Sequence, residues 1–196
     1  MIKISIITIC FSLLFVMLAW FMLPKFLEQP KYKVVRKENN IEIRKYDKIL
    51  TSSVKVYGNQ YNALRKGFQP LVRYIGAKER DSEKISMTAP VIQATNDESE
   101  NWTVSFAMPS KYNIDNLPKP SNDDIYFEEI QPSLAAVIRF SGVADTSLLD
   151  KKASALKRWL ELNRYTERSS PKYLFYNDPT TPGFLRRNEG MRIIDK

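Results

Sequence analysis

The chain of 196 residues contains no histidine, and its one cysteine, Cys10, lies in the first apolar run. The missing imidazole excludes Ser-His-Asp and Cys-His catalysis, the usual zinc sites and the commonest axial ligand of haem iron. With no cysteine beyond residue 10, the rest of the chain has neither a disulfide nor a thiolate nucleophile or ligand. Charge is plentiful but mixed: 30 lysines and arginines against 22 acids give a net +8. The basic residues are interspersed with acids, and no helix-turn-helix, zinc-finger or RNA-binding signature accompanies them. A basic solvated surface near an anionic membrane therefore explains the charge better than a nucleic-acid interface.

What is present begins with an uncharged run, Ile4 to Leu23, bracketed by Lys3 and Lys25. At about 20 residues it is long enough to cross a bilayer as a helix, and no A-x-A-like site precedes Pro24. The expected organisation is an anchor or uncleaved signal over residues 1–25, a linker over 26–31 and a domain over 32–196, single-pass in a membrane whose side is left open between an exported and a cytoplasmic domain.

Within that domain one stretch is written twice. Ile41 to Gly58 and Ile125 to Gly142 align without a gap at an offset of 84 residues, matching apolar with apolar at six positions, Lys55 with Arg139 and Gly58 with Gly142. Alternation of apolar and polar residues predicts a hairpin of strands in each copy. Each copy runs into a segment of helical spacing: Asn59 to Ile75, with Pro70 inside and Gly76 as its stop, and Leu149, Ala153, Leu156 and Leu160 on a stripe reaching about Asn163. Ser147 with Asp150 resembles a weak capping box for the second helix. Lys119 to Asp124, with Pro118 and Pro120 nearby, form the proline-rich seam between the halves. The fold class expected is α+β: a pseudo-two-fold repeat of strand-strand-helix units closing into a distorted antiparallel β-barrel with two flanking helices.

Several separated motifs resemble the SOUL haem-binding protein family. They are Ile85 to Val91 (ISMTAPV), Phe106-Ala107-Met108-Pro109 with Tyr112 and Leu117-Pro118-Lys119-Pro120 after it, Arg139-Phe140-Ser141-Gly142, and Phe184 to Glu189 (FLRRNE). The resemblance spans about Tyr32 to Ile194, and motifs in the right order are far more specific than any one alone. It implies the barrel just described and a non-covalent site for haem or a related tetrapyrrole, in an apolar groove by the first helix with basic residues near the propionates. No other metal is expected, nor a nucleic-acid partner; whether protein partners exist is open. The same architecture is similar to effector-binding domains related to gyrase inhibitors, so a small-molecule-binding or hydrolytic domain is the alternative.

Carried onto this sequence, the groove falls on Leu64, Phe68, Leu71 and Ile75, with Arg65 and Arg73 for two carboxylates and the thioethers of Met87 and Met108 as contacts or weak ligands. The competing reading is that this stripe only packs on the sheet. Gly183 and Gly190 depart from the family pattern, which has larger side chains there. For acid-base chemistry Glu128-Glu129 is the obvious pair, yet neighbours on a strand face opposite ways. Arg186-Arg187-Asn188-Glu189 suits a structural tie, its guanidinium forks holding the terminal segment to carboxylates or carbonyls, with a propionate contact by Arg186 or Arg187 as the lesser alternative.

Overall fold

A computed structural model describes residue 12 and residues 26–78, 83–95 and 101–195. Among the described residues ten strands and two α-helices follow in an α+β order: β1 (Tyr32–Glu38), β2 (Ile41–Tyr46), β3 (Ile49–Tyr57), α1 (Gln60–Ile75), β4 (Val91–Thr95), β5 (Asn101–Ala107), β6 (Tyr126–Ile130), β7 (Ser133–Phe140), α2 (Thr146–Leu162), β8 (Thr166–Glu167), β9 (Lys172–Phe175) and β10 (Asn188–Asp195). All belong to one antiparallel sheet in the order β1-β2-β7-β10-β9-β4-β5-β3-β6, with β8 on β10. The path begins at β1 and ends at β6, so the sheet curls into a half-barrel and does not close. The expectation of a complete barrel is corrected accordingly.

The repeat is real, but its strands pair differently from the expected hairpins. β2 does not pair with β3, nor β6 with β7; β2 pairs with β7 and β3 with β6, each across to the other half. In both ladders the partner numbers add to 179, Ile41 with Ile138 and Ile49 with Ile130, so an 84-residue shift converts one ladder into the other. Alternation fixes which face a residue occupies and not which strand lies beside it. The repeated glycines end the two copies identically, Gly58 at φ +122° and Gly142 at φ +127°, a backbone that glycine alone adopts without strain.

Period two then assigns two faces. On the outer face α1 buries Leu71, Tyr74 and Ile75 against Leu50 and Val54 of β3 and Val104 and Phe106 of β5. There α2 buries Leu156 and Leu160 against Ile41, Ile43, Ala136, Ile138 and Ile194. The inner face has its own core of Tyr46, Ile92, Ala135, Val137, Leu174, Tyr176 and Met191.

Both helices start on a side-chain cap: Asn59 accepts from the Asn62 amide and Asp145 from that of Leu148, at 3.0 and 2.8 Å. Asp145, not Ser147, caps the second helix. α1 runs unbroken through Pro70 to its cap at Gly76.

Among the described residues no helix is long and apolar enough to cross a membrane. The expected single-pass membrane placement is corrected on that finding; the run Ile4 to Leu23 on which it rested lies, residue 12 apart, outside the described residues.

Candidate functional site

The residues expected on the first helix divide between two environments. Leu71 and Ile75 are core, 0% and 5% exposed, and Leu64 is half-buried against the same cluster, so the stripe's centre does pack on the sheet. Phe68 differs: it is 36% exposed while its ring meets buried Phe106 edge-on at 5.3 Å. At 100° per residue Tyr61, Phe68 and Val72 share one flank, and Arg65 borders it. Tyr61 and Arg65 are exposed and Val72 half-buried. Arg73 is also exposed but lies further round the helix, beyond Arg65. Met87 packs half-buried against the α1 core, whereas Met108 is only 8% exposed and opens on a different concavity.

That concavity is a cleft of about 220 Å³ walled by Glu28, Lys31, Asp47, Lys48, Met108, Tyr112 and Glu129, among others. Its rim is tied by Lys48 to Glu129 at 2.9 Å and by the Ser110 amide donating to Glu28 at 2.7 Å. Pro30 and Ile49 separate it from an apolar hollow of about 30 Å³ on the inner face, lined by Tyr46, Ile92, Ile130, Lys172, Tyr176 and Met191 among others. Burial holds the Lys172 amine below its ordinary pKa, against the pull of the Glu128 charge.

Beside the hollow is a buried charge network. Glu189, 0% exposed on β10, accepts from Arg44 of β2 at 2.7 and 3.0 Å, from Arg187 at 2.8 and 3.0 Å and from the Tyr176 hydroxyl at 2.9 Å. Arg44 also donates to Tyr46 at 3.1 Å and lies 4.3 Å over the ring of Tyr32; Arg187 lies 3.7 Å over that of Tyr176. Burial alone would raise the Glu189 carboxyl, but the two guanidiniums outweigh it and hold the pKa below its ordinary value. A carboxyl serving as a general acid near neutral pH needs the opposite shift. Burial pushes the Tyr46 phenol up to about 12 and raises that of Tyr176 as well. Among the described residues no group of three or more His, Cys, Asp or Glu side chains could hold a metal ion.

A family model described as SOUL heme-binding protein matches residues 27–192. The chain belongs to the SOUL family. No curated protein matches it. Among solved structures, the EcmrR C-terminal domain aligns over 84% of this chain and 98% of its own at 14% identity and a TM-score of 0.61. The EcmrR chain in a complex with DNA aligns at 15% identity and 0.63, over 80% of this chain and 57% of that one. A hydrolase from Listeria innocua aligns over 82% and 94% at 9% identity and 0.55. At such identities these likenesses show the fold alone.

The SOUL motifs now have physical roles. The terminal FLRRNE segment supplies Arg187 and Glu189 to the network, while Arg186 donates to the Thr181 carbonyl at 2.7 Å. Gly190 leaves room for Ile138, whose Cγ2 would lie 3.2 Å from an added Cβ, and Val143 takes the space beside Gly183 in the same way. The two acids singled out by sequence separate as alternation requires: Glu129 faces the cleft, and Glu128 is exposed and does not line it. Sequence reasoning placed Arg44, Tyr176 and Lys172 at no site. The only local signal was an arginine inside the apolar-polar alternation of β2, a buried position if the strand is covered on both faces.

Proposed function

We propose that this SOUL-family chain binds haem or a related tetrapyrrole non-covalently on the outward flank of α1, as a carrier, buffer or sensor with no chemistry of its own. The observation that carries the reading is Phe68, an aromatic ring left a third exposed while its inner edge rests on Phe106. Tyr61, Leu64 and Val72 extend that flank and Met87 lies half-buried against the core beneath, giving a flat ligand an apolar bed. Such contact is worth about 25 cal/mol for each Å² removed from water. Arg65 borders the flank and offers a charge to one propionate, with Arg73 further along the helix for a second. The cleft of about 220 Å³ is smaller than the roughly 300–1,000 Å³ of a drug-sized pocket, which favours a surface site. With no histidine in the chain and Met108 in the core, packing and charge hold the ligand, and iron is dispensable for affinity.

Titration of the full chain with haem and, in parallel, iron-free protoporphyrin tests this, read by the Soret band and tryptophan quenching. Both should saturate at one per chain with similar affinity, and Phe68→Asp should weaken both at least about tenfold. Binding of haem alone, or equal binding by Phe68→Asp, would move the site elsewhere.

A further inference from the structure

The half-barrel has two outer edges, and they carry opposite charge. β1, at one end, follows Lys31 and holds Lys33, Arg36 and Lys37 against Glu38, so residues 31–38 contain four cations and one acid; Arg36 pairs with Glu38 and Lys37 with Glu42. β6, at the other end, follows Asp123 and Asp124 and holds Glu128 and Glu129; residues 121–138 contain four acids and no lysine or arginine. Among the described residues β1 pairs only with β2 and β6 only with β3, leaving one row of backbone donors and acceptors on each. β1 is also apolar at its middle, with Val34 49% and Val35 64% exposed.

The internal repeat identifies what belongs beside β6. β2 and β6 are equivalent strands 84 residues apart, and β2 is flanked on its outer side by antiparallel β1. β6 has no such neighbour among the described residues. Transferred by the same shift, the β1–β2 register sets Tyr32 opposite Ile130, Lys33 opposite Glu129 and Val34 opposite Glu128. Past the bulge after Val34, Arg36 falls opposite Phe127 and Lys37 opposite Tyr126. One directly opposed pair of opposite charge, Lys33 with Glu129, is thus formed, with Val34 beside the Glu128 stem and two cations beside aromatic rings, and such cross-strand pairs stabilise a ladder. Two β1 strands brought together would instead set cation against cation.

We propose that the outer edge of β6 is an assembly surface that receives β1 of a second copy of this chain, antiparallel and in that register. The contact joins different surfaces of the two copies, so it propagates head to tail into a ring or an open string.

Sedimentation of the full chain over a range of concentrations is the test. The expected result is self-association that weakens in about 0.5 M salt, with amide exchange at residues 126–130 slowing as concentration rises. Glu129→Lys should weaken association at least about tenfold, and adding Lys33→Glu, its partner across the ladder, should restore it. A synthetic peptide of residues 32–38 added to the unaltered chain should perturb the same β6 amides. A chain that stays monomeric to about millimolar concentration, association indifferent to the charge reversals, or a peptide that perturbs no β6 amide would each overturn the proposal.

Discussion

At the scale of single residues, the inner face turns on Glu189. Its carboxylate is the common acceptor for Arg44, Arg187 and Tyr176, and Arg44 is itself only 2% exposed. Replacing Glu189 by Gln leaves the Arg44 guanidinium with the Glu42 carboxylate, 2.8 Å away at the edge of the core, as its remaining counter-charge, and should cost up to about 3 kcal/mol. Urea denaturation should show that loss as a lower midpoint with an unchanged slope. Because the folded pKa of Glu189 lies below its ordinary 4.5, the native state binds fewer protons than the unfolded one in acid. The stability it contributes is therefore present above pH 4.5 and lost as pH falls through the lower folded value. Melting temperatures taken across this range should fall steeply for the unaltered chain and more shallowly for Glu189→Gln.

Tyr46 gives the mirror case. Raised from 10 to about 12, it contributes stability that is complete below pH 10 and lost as pH rises towards 12. Tyr46→Phe should flatten that alkaline limb. None of this partnership was legible beforehand, because Arg44 and Glu189 are 145 residues apart and one sequence does not say which strands adjoin. The motif around Glu189 could be seen, but its partner could not.

Elements expose a second kind of constraint, in which backbone approach decides the residue. Gly67 sits mid-helix in α1, where alanine would ordinarily be better by about 1 kcal/mol. A Cβ there would lie 2.6 Å from the Cβ of Val104, a backbone-anchored atom that cannot swing away. Gly67→Ala should therefore destabilise by about 1–2 kcal/mol, read as a lower urea midpoint. The repeated glycines provide a paired comparison: both have positive φ, but a Cβ at Gly142 would meet Leu148 at 2.7 Å and one at Gly58 meets nothing within 4 Å. Thermal melts should show Gly142→Ala as the costlier, Gly58→Ala carrying only the backbone strain of about 1–2 kcal/mol.

This is also the scale at which sequence reasoning reached furthest. Helices ended where Gly76 and Asn163 said they would, and the 84-residue repeat proved to be a symmetry of the sheet. The hairpins failed because a short link such as Asp47-Lys48 permits tight pairing without requiring it; here β2 and β3 diverge to different partners. For the α1 stripe, periodicity identified the buried face correctly. It could not tell that Phe68 lies at the border, because a helical wheel does not show where the neighbouring sheet stops.

At the scale of the whole molecule, strand exchange is the governing feature. The ladders between halves join residues such as Ile41 and Ile138, nearly a hundred apart, so the sheet cannot be completed until both halves are present. Folding should be slow for a chain of this length, with transition-state contacts reporting late pairing of β2 with β7. Cutting the chain between β5 and β6, in the seam of residues 119–124, should leave two fragments that each give a disordered circular-dichroism spectrum. Mixed, they should restore the sheet and elute together. The chain is in effect a dimer whose subunits were written in one sentence: the seam contributes proximity and the ladders contribute the fold. An insertion beside exposed Lys119, past the buried Leu117 and the Pro118 carbonyl that Tyr74 holds at 2.7 Å, lengthens the tether alone; each doubling of its length costs about 0.6 kcal/mol, which makes that point the place where this protein can carry foreign cargo without losing its shape.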